Sequence, residues 1–143
     1  MGTALTPMYE WKTLPWNGYE RKVFKLQKRI YQAARRGDTR TVHRLQRLLT
    51  KSWSARCLAV RRVTQENQGK RTAGIDGVKA LSPAERMALT NKLNLRLKAR
   101  PTRRVWIPKP GTQEKRALGI PVMEDRALQT LVKLALEPEW EAH

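Results

Sequence analysis

Between residues 18 and 36 the apolar positions Tyr19, Val23, Leu26, Ile30, Ala33 and Ala34 recur every three or four residues, which predicts an amphipathic helix. Gly37 follows, where a left-handed backbone is cheap, and ends it. Asp38 or Thr39 then caps a second helix, whose inner face is marked by Val42, Leu45, Leu49 and Trp53. Two consecutive helices joined at one glycine predict an antiparallel pair. Residues 52–63 continue as a further helix, with Ala55, Leu58, Ala59 and Val63 available for packing. Periodicity stops over residues 64–81, where Gly69, Gly74 and Gly77 mark a long loop of the kind that is functional or disordered in compact domains. Ser82-Pro83-Ala84-Glu85 has the form of a capping box with proline at the first helical position, and predicts a helix to about Leu97, stopped by Arg100-Pro101. The period then drops to two. Val105 and Ile107 alternate with Arg104 and Trp106, Pro108, Pro110 and Gly111 make a turn, and Leu118 and Ile120 lie on a return strand. From Glu124 to Glu137 a last helix shows Leu128, Leu131, Val132 and Ala135 on one face, with Glu124 and Asp125 at its positive N-terminal end and Pro138 closing it. Residues 1–17 have no period and read as an irregular arm.

Charge changes this picture. The chain of 143 residues carries 30 Lys and Arg against 12 Asp and Glu, a net +18. Such a balance points first to nucleic acid and second to an anionic membrane. The excess is uneven, with residues 1–63 at +12, residues 64–116 at +9 and residues 117–143 at −3. It is also one-sided. Arg21, Lys25, Lys28 and Arg35 fall opposite the apolar stripe of the first helix, and Arg40, Arg44, Arg47 and Lys51 opposite that of the second. A solvated helix face normally mixes signs to gain i,i+4 pairs, so two ridges with almost no interleaved acid fit an external polyanion, nucleic-acid phosphate, better than plain solvation. A basic helix pair lying on a membrane surface would instead expose its apolar faces to lipid, and the closing turn at Gly37 favours self-packing.

Candidate chemistry is otherwise sparse. One cysteine, Cys57, excludes an internal disulfide and a thiolate zinc site. His43 and His143 stand alone, no paired carboxylates or nucleophile constellation occur, and no metal site is expected. No apolar run approaches a membrane span, and the N-terminus lacks the form of a secretion signal, so a cytoplasmic protein is the expectation. Lys70 and Arg71 sit at the apex of the long loop, while Gly74, Asp76 and Gly77 read as residues that shape it. The hairpin carries cations at its start (Arg103 or Arg104), its turn (Lys109) and its return strand (Arg116), a ribbon suited to holding a phosphate chain.

The run R-R-V-W-I-P-K-P-G-T…K-R-A-L-G-I-P…D-R-A-L-Q…A-L-E-P, from Arg103 onward, resembles the first sequence block of group II intron reverse transcriptases, also called maturases. T-A-G-I-D-G at Thr72 to Gly77 resembles the block that precedes it, and the likeness extends over about residues 20–140. It implies an α+β, helix-dominated fold: an irregular arm (1–17), a basic helical N-terminal extension (18–63), a lid-like loop over the template (64–81), and a fingers subdomain of a right-hand polymerase with one β-hairpin (82–143). It further implies that Arg103, Lys109 and Arg116 grip the triphosphate of an incoming deoxynucleotide. Ala117 departs from the family's usual proline after Arg116, and the turn carries Gln113 and Glu114. Implied partners are group II intron RNA and a template-primer, with no membrane. The implied parent activity is RNA-templated DNA synthesis alongside intron splicing and mobility, with Mg2+ held by downstream aspartates. Ending at His143, the chain itself is expected to bind RNA without polymerising and to carry no cofactor. A stand-alone structural RNA-binding protein of ribosomal type is the alternative, and it would need only scattered cations on the hairpin.

Overall fold

In the computed structural model, which describes residues 11–143, the elements are α1 (Trp16–Arg35), α2 (Thr39–Lys51), α3 (Trp53–Arg61), a π turn (Arg62–Glu66), a 3-10 turn (Gln68–Arg71), α4 (Pro83–Lys92), β1 (Arg103–Pro108), β2 (Lys115–Ile120) and α5 (Met123–Glu141). The expected α+β, helix-dominated class is what the fold shows. Helix α3 is the centre. Its sequence WSARCLAVR buries Ser54, Ala55, Cys57, Leu58, Ala59 and Val60, nearly all round, and it packs against α1, α2, α4 and α5. The stripes of α1 (Val23, Ile30, Ala33) and α2 (Val42, Leu45, Leu49) face inward to meet Ala127, Leu131 and Ala135 of α5 in one cluster. A fully buried Leu of this kind contributes about 1.5–3 kcal/mol. The apolar faces of α1 and α2 are therefore occupied by protein, as the Gly37 turn anticipates.

The caps are local and match their sequence signatures. Gly37, at φ 73°, lets its N–H reach the Ala34 carbonyl (3.0 Å) and the Asp38 N–H reach that of Ala33 (2.9 Å), a Schellman turn. Asp38 caps α2, accepting from Thr41 Oγ1 at 2.6 Å and from the Thr41 N–H at 3.2 Å. Those bonds, side-chain first, hold its carboxyl below the usual range, so the cap is fully present above the unfolded carboxyl's value and weakens as pH falls through the folded one. Ser82 and Glu85 form the full reciprocal capping box.

Four boundaries differ from expectation, each for a visible reason. The arm is already helical at residues 11–13 and α1 opens at Trp16, because Trp11, Trp16 and Tyr19 stack edge to face (4.9 and 5.8 Å) and the Trp11 Nε1–H donates to Gln65. The part of the arm before Trp11 lies outside the described residues. The first stretch of the expected loop continues α3 as a π turn, burying Val63 and Thr64 while Arg61 pairs with Glu66 at 3.1 Å. Helix α4 stops at Lys92 rather than near Leu97. Asn94 accepts the Arg96 N–H (2.8 Å) and donates to the Lys92 carbonyl, a local turn that outcompetes the helix and leaves Leu95 54% exposed. Helix α5 runs through Pro138, which was expected to close it. The carbonyl that proline cannot bond, that of Leu134, takes Gln27 Nε2–H at 3.0 Å instead.

Candidate nucleic-acid interface

All eight ridge residues are exposed: Arg21, Lys25, Lys28 and Arg35 on α1, Arg40, Arg44, Arg47 and Lys51 on α2. Among the described residues, none of the eight is in an ion pair. Arg35 alone of them also serves the fold, donating to the Ala142 carbonyl at 3.4 Å. Lys22 and Arg29, exposed on α1, widen the charged face and were not singled out by periodicity. Other arginines are spent internally. Arg61 is gripped by Glu20 (2.7 Å) and Glu66 and lies 4.6 Å from the Trp16 ring centroid. The ridges are thus cations left over after the fold has used those it needs.

The loop is tied down more firmly than its glycines suggest. Arg126, from the first turns of α5, donates Nε–H to the Pro121 carbonyl (2.9 Å), Nη1–H to Gly69 (2.7 Å) and Nη2–H to Thr72. Periodicity gave it no role, and the only signal was its place in the D-R-A-L-Q block. Gly74 lies against the Pro121–Val122 backbone so closely that a Cβ there would come within 2.7 Å of Val122. Asp76 accepts the Val78 N–H (3.1 Å) and lies 3.5 Å from Arg100 Nη1, and Gly77 takes φ 75°. Lys70 bends back to the Gln65 carbonyl (3.0 Å), while Arg71 stays exposed beside it. Lys70, Arg71, Lys79 and Arg86 line a cleft of about 590 Å³.

The hairpin register is Arg103 opposite Ile120, Val105 opposite Leu118 and Ile107 opposite Arg116, and the Lys109 N–H donates to the Glu114 carbonyl (2.9 Å). Opposed residues share a face. Arg103, Lys109 and Arg116 therefore lie on one face with Val105, Ile107 and Leu118, and Arg104 lies on the other with Trp106, its guanidinium 6.0 Å from that ring centroid. Sequence parity set Arg103 with Val105 and Ile107 and Arg104 with Trp106, and the register keeps that arrangement. Lys109 and Arg116 are one pleat apart. Arg103 is about 13 Å further down the ribbon, with its Nε–H on the Ala73 carbonyl at 2.9 Å. Glu114 shares the cationic face, 3.4 Å from Lys109. Lys109 and Arg116 stay near the tip of the ribbon, while Arg103 is tied to the glycine loop.

Cys57 is fully buried, and burial pushes its thiol up to about 12. Its neutral form is the one folding favours, so this contribution to stability is full below the unfolded thiol's value and is lost as pH rises toward about 12. Carboxamidomethylation of the native protein at pH 8 should run at least ~100-fold slower than for a free cysteine and accelerate only on unfolding. Rapid labelling in the folded state would contradict the packing around α3. Among the described residues no cluster of His, Cys, Asp and Glu could hold a metal ion, and no helix is long and apolar enough to cross a membrane.

The described residues thus form a helical core with a basic outer face, followed by a cationic ribbon. The family described as the N-terminal domain of reverse transcriptase matches residues 11–93. The chain belongs to that family, as the N-terminal part of a group II intron reverse transcriptase/maturase. Among curated proteins it is similar to Maturase-like protein 1 of Euglena gracilis, 34% identical over 138 residues that cover 89% of this chain and 28% of the relative. It is also similar to Protein YkfC of Escherichia coli (strain K12), 32% identical over 127 residues covering 84% of this chain and 32% of the relative. The chain thus spans about a third or less of the length of these relatives.

Proposed function

We propose that this chain is the RNA-gripping N-terminal part of a reverse transcriptase that copies RNA into DNA and assists splicing and mobility of its intron RNA. The observation that carries the reading is the double ridge on α1 and α2, eight exposed cations with no ion pair among them in the described residues. Lys and Arg in such a row release counterions from a phosphate backbone, which makes affinity steeply salt-dependent. The single face of the hairpin that carries Lys109, Arg116 and, further down, Arg103 supports a second role, neutralising the triphosphate of a deoxynucleotide in the longer protein. The loop held by Arg126 and Gly74 would lie beside the template, with Lys70 and Arg71 toward its phosphates. Magnesium chemistry belongs to the longer protein. The described carboxylates form no group suited to the ion.

Replacing Arg40, Arg44, Arg47 and Lys51 together by Gln should weaken binding to intron RNA by tens-fold or more. It should also flatten the dependence of log K on log salt by ~3 units, at ~0.7 to 0.9 per lost phosphate contact. Fluorescence anisotropy across a KCl series reads both, and an unchanged slope would exclude the ridge as the binding surface.

A further inference from the structure

We infer that one phosphodiester of an RNA strand is held in a discrete cleft where the end of α2, the start of α3 and the turn after α4 meet. This rests on the RNA-binding reading above and sharpens it to a site. The cleft has a volume of about 550 Å³ and is lined by Arg47, Lys51, Arg56 and Arg96, with Leu93 and Leu95 and no carboxylate. That size lies within the ~300–1,000 Å³ of ordinary ligand pockets. Among the described residues, none of the four cations is in an ion pair. Four like charges in one cleft repel, and an anion between them relieves that cost.

The cations are positioned, not merely present. Arg47 and Lys51 are one turn apart on α2. Arg56 is pinned by donating Nη1–H to the Thr90 carbonyl at 3.2 Å and lies 5.4 Å from the Trp53 ring centroid. Its Nε is buried inside the fold, which holds the guanidinium in a fixed orientation. Arg96 is brought there by the Asn94 turn that ends α4 early. The same turn turns Leu95 outward, an apolar surface beside the cations on which a ribose or base can rest. A second hollow of about 280 Å³ shares Arg47, Thr50 and Leu95 with the cleft and continues toward His43. Together they make a track along α2, which suits a strand rather than an isolated anion. The planar forks of the arginines match phosphate oxygens in pairs.

The test compares two double substitutions that remove equal charge from the full chain: Lys51→Gln with Arg96→Gln in the cleft, and Lys25→Gln with Lys28→Gln on α1. Each is titrated with a fluorescein-labelled single-stranded RNA over a KCl series, and thermal melting monitors the fold. Arg96→Gln alone, on an exposed turn, repeats the comparison at one charge. The cleft pair should lose tenfold or more in affinity and ~1.4 units of salt slope, at least threefold beyond the loss in the α1 pair. Leu95→Ala should lose about threefold with no change in slope, the mark of an apolar contact beside the phosphate. Equal losses in the two pairs would overturn the cleft while leaving RNA binding intact. No binding by the unsubstituted chain would overturn the cleft and the proposed function together. Loss of binding to phosphatidylserine vesicles with RNA affinity retained would overturn it in favour of a membrane surface.

Discussion

In a polymerase-competent protein that carries this chain, Lys109→Ala and Arg116→Ala each lower kcat/KM for deoxynucleotide by roughly tenfold to a thousandfold. The estimate takes one charged hydrogen bond, ~1.5–3 kcal/mol, plus misalignment of the reacting phosphate. Both cations lie near the tip of the ribbon, where the proposed triphosphate would engage them. Arg103→Ala should act differently. Its Nε–H already serves the Ala73 carbonyl, so part of its effect passes through the glycine loop. Glu114, 3.4 Å from Lys109 on the same face, opposes an incoming anion, and Glu114→Gln should lower the nucleotide KM modestly. Affinity for intron RNA should change little in any of these variants, because the proposed RNA surface is the pair of helix ridges. Steady-state kinetics beside RNA titrations separate the two. If Lys109→Ala and Arg116→Ala weaken RNA binding and spare nucleotide kinetics, the hairpin is a plain RNA-binding arm, the behaviour of a structural binder.

Gly74→Ala is the substitution expected to cost the fold most for its size. The new Cβ would meet Val122 Cα and N at 2.7 Å and Pro121 C at 2.8 Å, and these are backbone atoms that cannot swing aside. The loop must lift off the start of α5, which strains the three Arg126 bonds at Pro121, Gly69 and Thr72. A loss of about 2–4 kcal/mol follows, somewhat above a typical overpacked site, and a fall in Tm of roughly 5–15 °C. Gly77→Ala is the matched control. Nothing lies within 4 Å of its Cβ position, so only its positive φ opposes a side chain, at about 1 kcal/mol. Hydrogen exchange should quicken at the Lys70 and Thr72 amides, which donate to the Asn67 and Gly69 carbonyls, in Gly74→Ala and stay near wild type in Gly77→Ala. Equal melting temperatures for the two variants would mean that the close approach at Val122 does not hold the loop.

What the chain determined by itself was everything decided within a turn or two. The Schellman turn at Gly37, the Asp38 cap, the Ser82–Glu85 box and the alternation across Val105 and Ile107 depend on neighbours two to five residues away. So do the two basic ridges, which periodicity alone separates from the apolar stripes. The sequence blocks from Thr72 to Pro138 were legible in the same direct way.

Tertiary structure decided the rest, because the deciding partner lay far along the chain. Pro138 reads as a helix end until Gln27, 107 residues before Leu134, supplies the donor that the Leu134 carbonyl would otherwise lack. Arg126 reads as one more cation until it takes carbonyls 54 and 57 residues upstream and makes an anchored loop from a glycine-rich one. Trp11, where the described residues begin, is fixed by its bond to Gln65, 54 residues away. Which residues of the two strands oppose each other rested on register, which is fixed only where the Lys109 N–H meets the Glu114 carbonyl and closes the turn. Arg56 and Arg96 carried no periodic signal at all. A cleft between three elements exists only once those elements pack, and sequence spacing encodes faces of single elements, not the spaces between them.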